Sequence, residues 1–452
     1  MKNRSVCLVS LGCPKNLVDS EVMLGILKED GYHLVSDEDD ADILIVNTCG
    51  FISDAKKESV DEILRLAEYK KTGRCRLLIV TGCLTQRYKD ELADELPEVD
   101  YFIGTGEYFR IADIIKNGAE RIIVDKPVYI HDYNTPRILA TPRYSAYIKI
   151  AEGCSNDCSY CTIPGIRGKF RSRGITSIVK EVENLALQGV KEINLIAQDT
   201  TSFGMDRDSK TIEELLRRLV KIEGIEWLRL LYLYPSKITD SLIKLIRDEK
   251  KMCKYFDIPI QHISKKILNA MNRTTTRDGI TKLIQKIRDK IPDAIIRTSM
   301  IVGFPGETED DFNELMDFVK GIKFDRLGVF KYSKEEGTPA YKMKNQVSDW
   351  VKEKRLRKIM HVQKKISLEH NKGIIGSVVR VLVEGVSDET DLLLKGRAVS
   401  QAPDIDGITY ITSGTANAGD IVSVEITEAG EYDMAGEIME EDKLLPRFKE
   451  MP

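Results

Sequence analysis

Residues 153–164 read GCSNDCSYCTIP and place Cys154, Cys158 and Cys161 with three, then two, residues between them. A structural zinc site takes four protein ligands, and a redox pair takes two thiols. Three local thiols instead fit an iron–sulfur cube that keeps one iron open to another ligand. The competing reading is a zinc site completed by a distant histidine. The chain has five histidines, none close to this stretch in sequence.

The stretch follows SAYIKIA, the first of six apolar runs separated by helical segments; the others are EINLIAQ, WLRLLYL, YFDIPIQ, IIRTSMIVG and RLGVFKYS. Six βα repeats predict a partial TIM-like barrel over residues 144–370, closed by a long helix from Ser348 to Asn371. The thiols then sit at the carboxyl edge of the barrel, where such folds build their sites. Upstream, residues 1–120 alternate short β-rich runs with amphipathic helices, which predicts an open parallel α/β sheet domain. Residues 121–143 carry prolines without periodicity and read as a linker. Residues 371–440 hold five short strands and no helix-length pattern, which predicts a small closed all-β barrel, and 441–452 read as a tail.

Composition fits this α/β plan. The chain has 452 residues, 42% hydrophobic and 31% charged, with a formal net charge of −4. That balance provides no basic nucleic-acid footprint. No apolar run approaches the ~18 residues of a membrane span, and the start, MKNRSVCLVSLGCPKN, reads as a first strand and not as a signal peptide. A cytoplasmic protein is expected. In that reducing compartment nine cysteines point to metal ligands or reactive groups before disulfides.

Three more cysteines share a register. Cys13, Cys49 and Cys83 occur in VSLGC, IVNTC and IVTGC, each just past an apolar strand and each leading toward a helix. In an open parallel sheet such points gather at the carboxyl edge, where ligands bind. The plain alternative is three buried structural cysteines; the shared register favours a second three-thiolate cluster. Cys7, Cys75 and Cys253 stand outside the register and read as ordinary cysteines.

The Cys-x3-Cys-x2-Cys motif after a first barrel strand, with Tyr160 before its last cysteine, resembles the radical S-adenosylmethionine superfamily. The full arrangement of a three-cysteine sheet domain, a radical barrel and a terminal β-barrel of TRAM type resembles the methylthiotransferase family over essentially the whole chain. The resemblance implies two 4Fe-4S clusters, one on Cys154, Cys158 and Cys161 and one on Cys13, Cys49 and Cys83. In that family S-adenosylmethionine is both the source of a 5′-deoxyadenosyl radical and the methyl donor, and the second cluster supplies sulfur. It also makes the barrel-edge residues Glu152, Gln198, Asp199, Gln261, His262 and Gly303, with Tyr160, candidates for cofactor contact. Each has a plainer reading: the Gly303–Gly306 stretch is also an ordinary turn, and His262 also a structural histidine. RGKFRSR (167–173) follows the first triad, and its four cations read equally as an anion-steering group or a solvated charge run.

The family has a tRNA-modifying branch and a branch that modifies an aspartate of small-subunit ribosomal protein twelve. GCPKNLVDSE, NTCGFISDAKKES, GCLTQRY and AQDTTSFG resemble the second branch. Between Ile374 and Ile438 three cations (Arg380, Lys395, Arg397) face twelve carboxylates. Such a unit repels phosphate backbones and attracts a basic protein. The expected partners are the ribosomal protein or the ribosome, an electron donor such as flavodoxin or ferredoxin, and a sulfur donor. Nucleic acid is not expected as a direct substrate, nor a membrane as a partner. The rivals are a tRNA methylthiotransferase and a non-catalytic, metal-dependent RNA-binding or regulatory protein.

Overall fold

Six fully parallel strands build the first unit: β1 (Ser5–Ser10), β2 (His33–Leu34), β3 (Ile43–Thr48), β4 (Leu77–Gly82), β5 (Tyr101–Ile103) and β6 (Ile122–Ile123). In the computed structural model, which describes residues 4–207 and 211–439, they lie in the order β2-β1-β3-β4-β5-β6. The direction of winding reverses between β1 and β3, the place where open α/β sheets bind ligands. ILIVNT in β3 is buried at every position, as a parallel strand covered by helices on both faces requires. β6 falls at residues 122–123, just past residue 120, because a two-residue strand leaves no periodic signature.

The second unit begins with β7 (Ser145–Lys149), followed by the short pair β8 (Ala151–Glu152) and β9 (Arg171–Ser172). Its arc continues through β10 (Glu192–Ile196), β11 (Trp227–Leu230), β12 (Tyr255–Asp257), β13 (Ile295–Val302) and β14 (Arg326–Lys331). β7, β10 and β11 pair in parallel, as do β12, β13 and β14, and a bridge between Leu228 and Met252 joins the two halves. All six expected barrel strands are thus present and the barrel is left open. Alternation sends Ile148, Ile193 and Leu195 outward into the helical layer, while Tyr147, Trp227 and Tyr255 turn inward.

The open barrel is stoppered from two sides. Val18, from the helix Pro14–Glu29 of the first unit, enters the inner cluster. So do Leu382 and Ala402 of the third unit, a closed barrel of β15 (Val378–Val386), β16 (Leu394–Ala398), β17 (Thr409–Ser413), β18 (Ile421–Ala429) and β19 (Met434–Ile438). The seam with this third unit is polar. Arg397 reaches Glu192 at 2.6 Å, Arg229 reaches the same carboxylate at 3.2 Å, Tyr147 donates to Asp404 and Tyr255 to Asp406. Three of the twelve carboxylates counted as surface charge (Glu384, Asp404, Asp406) and one of the three cations (Arg397) therefore face this seam. Asp420 and Glu431 also pair with Lys191 and Lys364 of the second unit and Arg380 with its Glu226, and the seven carboxylates and one cation left over keep the unit acidic. The expected tail, 441–452, lies outside the described residues.

Truncating one partner of a buried ion pair strands the other, at a cost of about 3 kcal/mol or more. Arg397→Met should therefore lower stability in denaturant unfolding by about that much, and the triple variant Glu192→Met/Arg229→Met/Arg397→Met, which strands neither guanidinium, should restore most of it. Burial raises Glu192, but Arg397 and Arg229 more than offset it and hold the carboxyl down at about 2. Because this value is depressed in the fold, the seam's contribution is complete above the ordinary value of 4.5 and is lost as pH falls toward 2. An acid titration of unfolding should show that loss in wild type and a flatter profile in the triple variant.

Candidate functional site

The GCSNDCSYC loop leaves the barrel directly after β8, and its backbone is pinned from outside. Cys154 donates to the Gly168 carbonyl, Ser159 to the Met271 and Ala270 carbonyls, and Asn272 donates to the Asp157 carbonyl. Cys154 is buried, while Cys158 and Cys161 are part-exposed. Burial, then the charges of Cys158 and Cys154, push the Cys161 thiol up to about 12. Cys154 is raised chiefly by burial, with Asp199 and Cys158 adding to it. Three thiols this close oppose one another's ionisation, so holding them together as thiolates needs added positive charge. The Arg273 guanidinium approaches Cys158 to 4.0 Å.

The three cysteines of the first unit are also neighbours. Cys13 caps the helix Pro14–Glu29, Cys49 directly follows β3, and Cys83 opens the helix Cys83–Glu95 after β4. Two glycines let their loops close in. A Cβ on Gly12, whose φ is +93°, would lie 2.9 Å from Cys49 Cβ and 3.2 Å from its Sγ; one on Gly50 would lie 2.8 Å from the Cys83 carbonyl oxygen. Asn16 ties all three loops. Its Nδ2 donates to the Leu11 and Thr48 carbonyls, and its Oδ1 faces Cys83 Sγ at 3.7 Å. Burial and then Cys83 push Cys49 up to about 12, and Cys83 is raised by burial. Cys13 differs: burial raises it, but Lys15, Arg167 and the Asn16 and Lys15 backbone N–H groups more than compensate, so it is lowered.

Between the two triads lies a buried charge network absent from the sequence reading. Arg167, 1% exposed, donates to Asp19 at 2.6 Å, to Asn16 Oδ1 at 2.6 Å, to Glu152 at 3.4 Å and to Cys83 Sγ at 3.5 Å. Lys149 pairs with both Asp19 and Glu152. Glu152 in turn accepts from the Gly153 backbone, next to Cys154. One chain of contacts thus runs from Cys83 through Arg167 and Glu152 to the other triad. The solvated reading of RGKFRSR is corrected at Arg167 and Arg173, both buried, the latter on Glu181. A lysine inside the buried strand SAYIK was the available signal, since a strand rarely encloses an ammonium without a partner.

The remaining candidates divide by what already holds them. Gln198 Oε1 and His262 Nε2 are buried with no hydrogen-bond partner, so both have capacity left for a ligand. The other His262 nitrogen, Nδ1, accepts from Ser264 N–H; burial drives the ring down to about 3, so it is neutral. Asp199 is already engaged, accepting from Asn156, Lys237, Thr201 and Ser202. Gln261 sits at a left-handed φ of +70° and is bridged by backbone bonds to Ser299 and Ile301. Tyr160 packs against the cluster of Phe304 and Tyr332 beside the cysteine loop. At Gly303, with a φ of +74°, the protein group that approaches closely is the Lys352 stem, whose Cγ would lie 2.2 Å from an added Cβ. Glu307 escaped the sequence reading; it accepts from Gly303 and Phe304 N–H and pairs with Arg355, and burial pushes it up to about 7. Lys15 and Tyr232 escaped it too. The Lys15 ammonium lies 3.4 Å from the Tyr232 ring centre.

Comparison with known proteins closes the case for kinship. Residues 5–104 match the uncharacterized protein family UPF0004, residues 148–319 the radical SAM superfamily and residues 375–439 the TRAM domain. The ribosomal protein uS12 methylthiotransferase RimO of Pelobacter propionicus is 56% identical over 444 residues, covering 97% of this chain and 99% of the relative. Its counterpart in Geobacter sulfurreducens is 56% identical over 439 residues, covering 96% and 98%. Among solved structures, the radical S-adenosylmethionine methyltransferase TsrM of Kitasatospora setae, solved with cobalamin and a [4Fe-4S] cluster bound, shares the fold with a TM-score of 0.57. It is 16% identical and the match covers 83% of this chain and 79% of that one. No helix among the described residues is long and apolar enough to cross a membrane. With that identity over nearly its whole length, the chain belongs to the RimO family of ribosomal protein uS12 methylthiotransferases.

Proposed function

We propose that this chain attaches a methylthio group to the β-carbon of an aspartate in ribosomal protein uS12. The observation that carries the reading is the pair of three-thiol loops joined by one chain of buried contacts through Arg167 and Glu152. An aliphatic C–H is far beyond the reach of any protein base working near neutral pH. When bound, two 4Fe-4S clusters and S-adenosylmethionine supply a radical able to take that hydrogen, a sulfur atom and a methyl group.

The residues fit those groups. Cys154, Cys158 and Cys161 would hold one cluster and Cys13, Cys49 and Cys83 the other. Among the described residues no three His, Cys, Asp or Glu side chains close on a single ion. A four-iron cube, ligated at separate corners, spreads its thiolates wider than one ion does. Gln198 and His262, with unpaired buried atoms, are candidates for cofactor contact, whereas Asp199 positions the loop that follows β10 by capping it. Glu152 orients the cysteine loop through Gly153 N–H. A low-potential reductant such as flavodoxin or ferredoxin and a sulfur donor complete the requirements, in the cytoplasm where ribosomes are. The acidic terminal barrel suits a basic protein substrate better than RNA.

Mass spectrometry of uS12 incubated with the reconstituted enzyme tests the reading. A gain corresponding to S–CH3 on one aspartate is expected, and its absence overturns the function. A second prediction concerns the sulfur triad. Gly12→Val places a branched side chain at φ +93° against Cys49, so iron per chain should fall from about eight to about four. Formation of 5′-deoxyadenosine should persist while the methylthiolated product is lost.

A further inference from the structure

Lys15 stands apart from the other buried cations around the thiol triads. Lys149 and Arg167 are each neutralised by Asp19 and Glu152. Arg273, beside the radical triad, is held by the Pro259 carbonyl and the face of Tyr234. Lys15 is 8% exposed and makes no ion pair with an Asp or Glu among the described residues. Burial disfavours its ammonium, but Tyr232 and Cys13, neither of them a carboxylate, more than offset that and keep Lys15 charged. The ammonium therefore stands beside the sulfur triad against a ring face, with no carboxylate paired to it.

Its place is as informative as its charge. Lys15 lies two residues beyond Cys13, while Tyr232 follows the carboxyl end of β11, so the ammonium stands between the sulfur triad and the barrel mouth. The ring beneath it is held firmly. Tyr232 occupies a left-handed φ of +63°, its N–H donates to Asp257 at 2.9 Å, and its carbonyl accepts from Thr200 N–H at 3.1 Å. A bulky residue keeps such a backbone only where its surroundings enforce it.

We propose that Lys15 binds the carboxylate of the target aspartate and thereby selects aspartate over neutral side chains of the same shape. The inference rests on the function proposed above and deepens it by naming the residue that reads the substrate. In aspartate the reacting carbon is bonded directly to the carboxylate carbon, so an ion pair at Lys15 fixes that carbon beside the sulfur triad. Asparagine matches the shape but brings no charge to pair with the ammonium.

The test uses full-length, anaerobically reconstituted enzyme, purified uS12, and uS12 with the modified aspartate replaced by asparagine. Wild-type enzyme should bind the asparagine form about 30-fold more weakly, the scale of a lost buried charge pair. Lys15→Met should bring the two affinities within about threefold of each other, and Lys15→Arg should keep most of the difference. Substrate-free 5′-deoxyadenosine formation, which the other triad supports, should match wild type in both variants, and Lys15→Arg, which keeps the charge beside Cys13, should also keep the iron content. Equal binding of the two uS12 forms by wild-type enzyme overturns the proposal, as does a ratio unchanged in Lys15→Met. Should Lys15→Met lose iron, Lys15→Gln is read by the same criterion, and an unchanged ratio there overturns the proposal. If wild-type enzyme adds no methylthio group to uS12, the functional reading falls first, and that result is distinct from either of these.

Discussion

The contact on which the rest depends is the guanidinium of Arg167 lodged between two domains. It holds Asp19 and Asn16 of the first unit and Glu152 of the second in one buried network. An exposed ion pair there would contribute almost nothing and would slacken with salt. A buried one is a poor source of net stability, since desolvation offsets most of its attraction. Its gain is geometric: ions without water tolerate few arrangements, so the two thiol loops are fixed relative to one another. Asn16 extends the same constraint by bonding the loops that precede Cys13 and Cys49.

A second clamp acts at the far edge of that interface. Glu335, on the loop after β14, accepts from Lys56 at 2.8 Å and Arg87 at 2.6 Å, and Arg87 also donates to the Gly50 carbonyl beside Cys49. The linker adds a third, with Arg137 joining Glu21 to Glu181. These clamps together leave little freedom for hinge motion between sheet and barrel. Sulfur transfer between loops on different domains needs a reproducible separation, because a misplacement of about 1 Å can cost two orders of magnitude in rate.

What the sequence disclosed follows from range. Strand runs, the six barrel repeats and the common register of Cys13, Cys49 and Cys83 are periodic or local features, and each emerges in the fold. The thiol register was legible because the same strand-to-thiol step recurs three times. The charge network was not, since Asp19 finds Lys149 across 130 residues and Arg167 finds Cys83 across 84. Pairings at that distance leave no trace in spacing. Gly303 was legible as a close approach but not by whom, because Lys352 comes from a helix that packs back over the barrel. Asp404 and Asp406 looked like surface charge because nothing local marks a loop that turns inward onto Tyr147 and Tyr255.

That inward loop separates two tasks within one molecule. Glu192, Trp227 and Tyr255 lie at the amino ends of their strands, so the terminal barrel seals the barrel opposite the cysteine loops. A radical able to attack unactivated C–H bonds will attack the protein or quench if its site leaks, so one end must be closed permanently. Closure by an apolar plug would be more stable, as replacements of buried ion pairs in other proteins suggest. The polar seam instead fixes one docking orientation, because Arg397, Asp404 and Asp406 each require a particular partner. Orientation has a consequence for charge, because the same unit carries the acidic surface. A rigid seam keeps the acidic surface of that unit in a constant relation to the open end of the barrel.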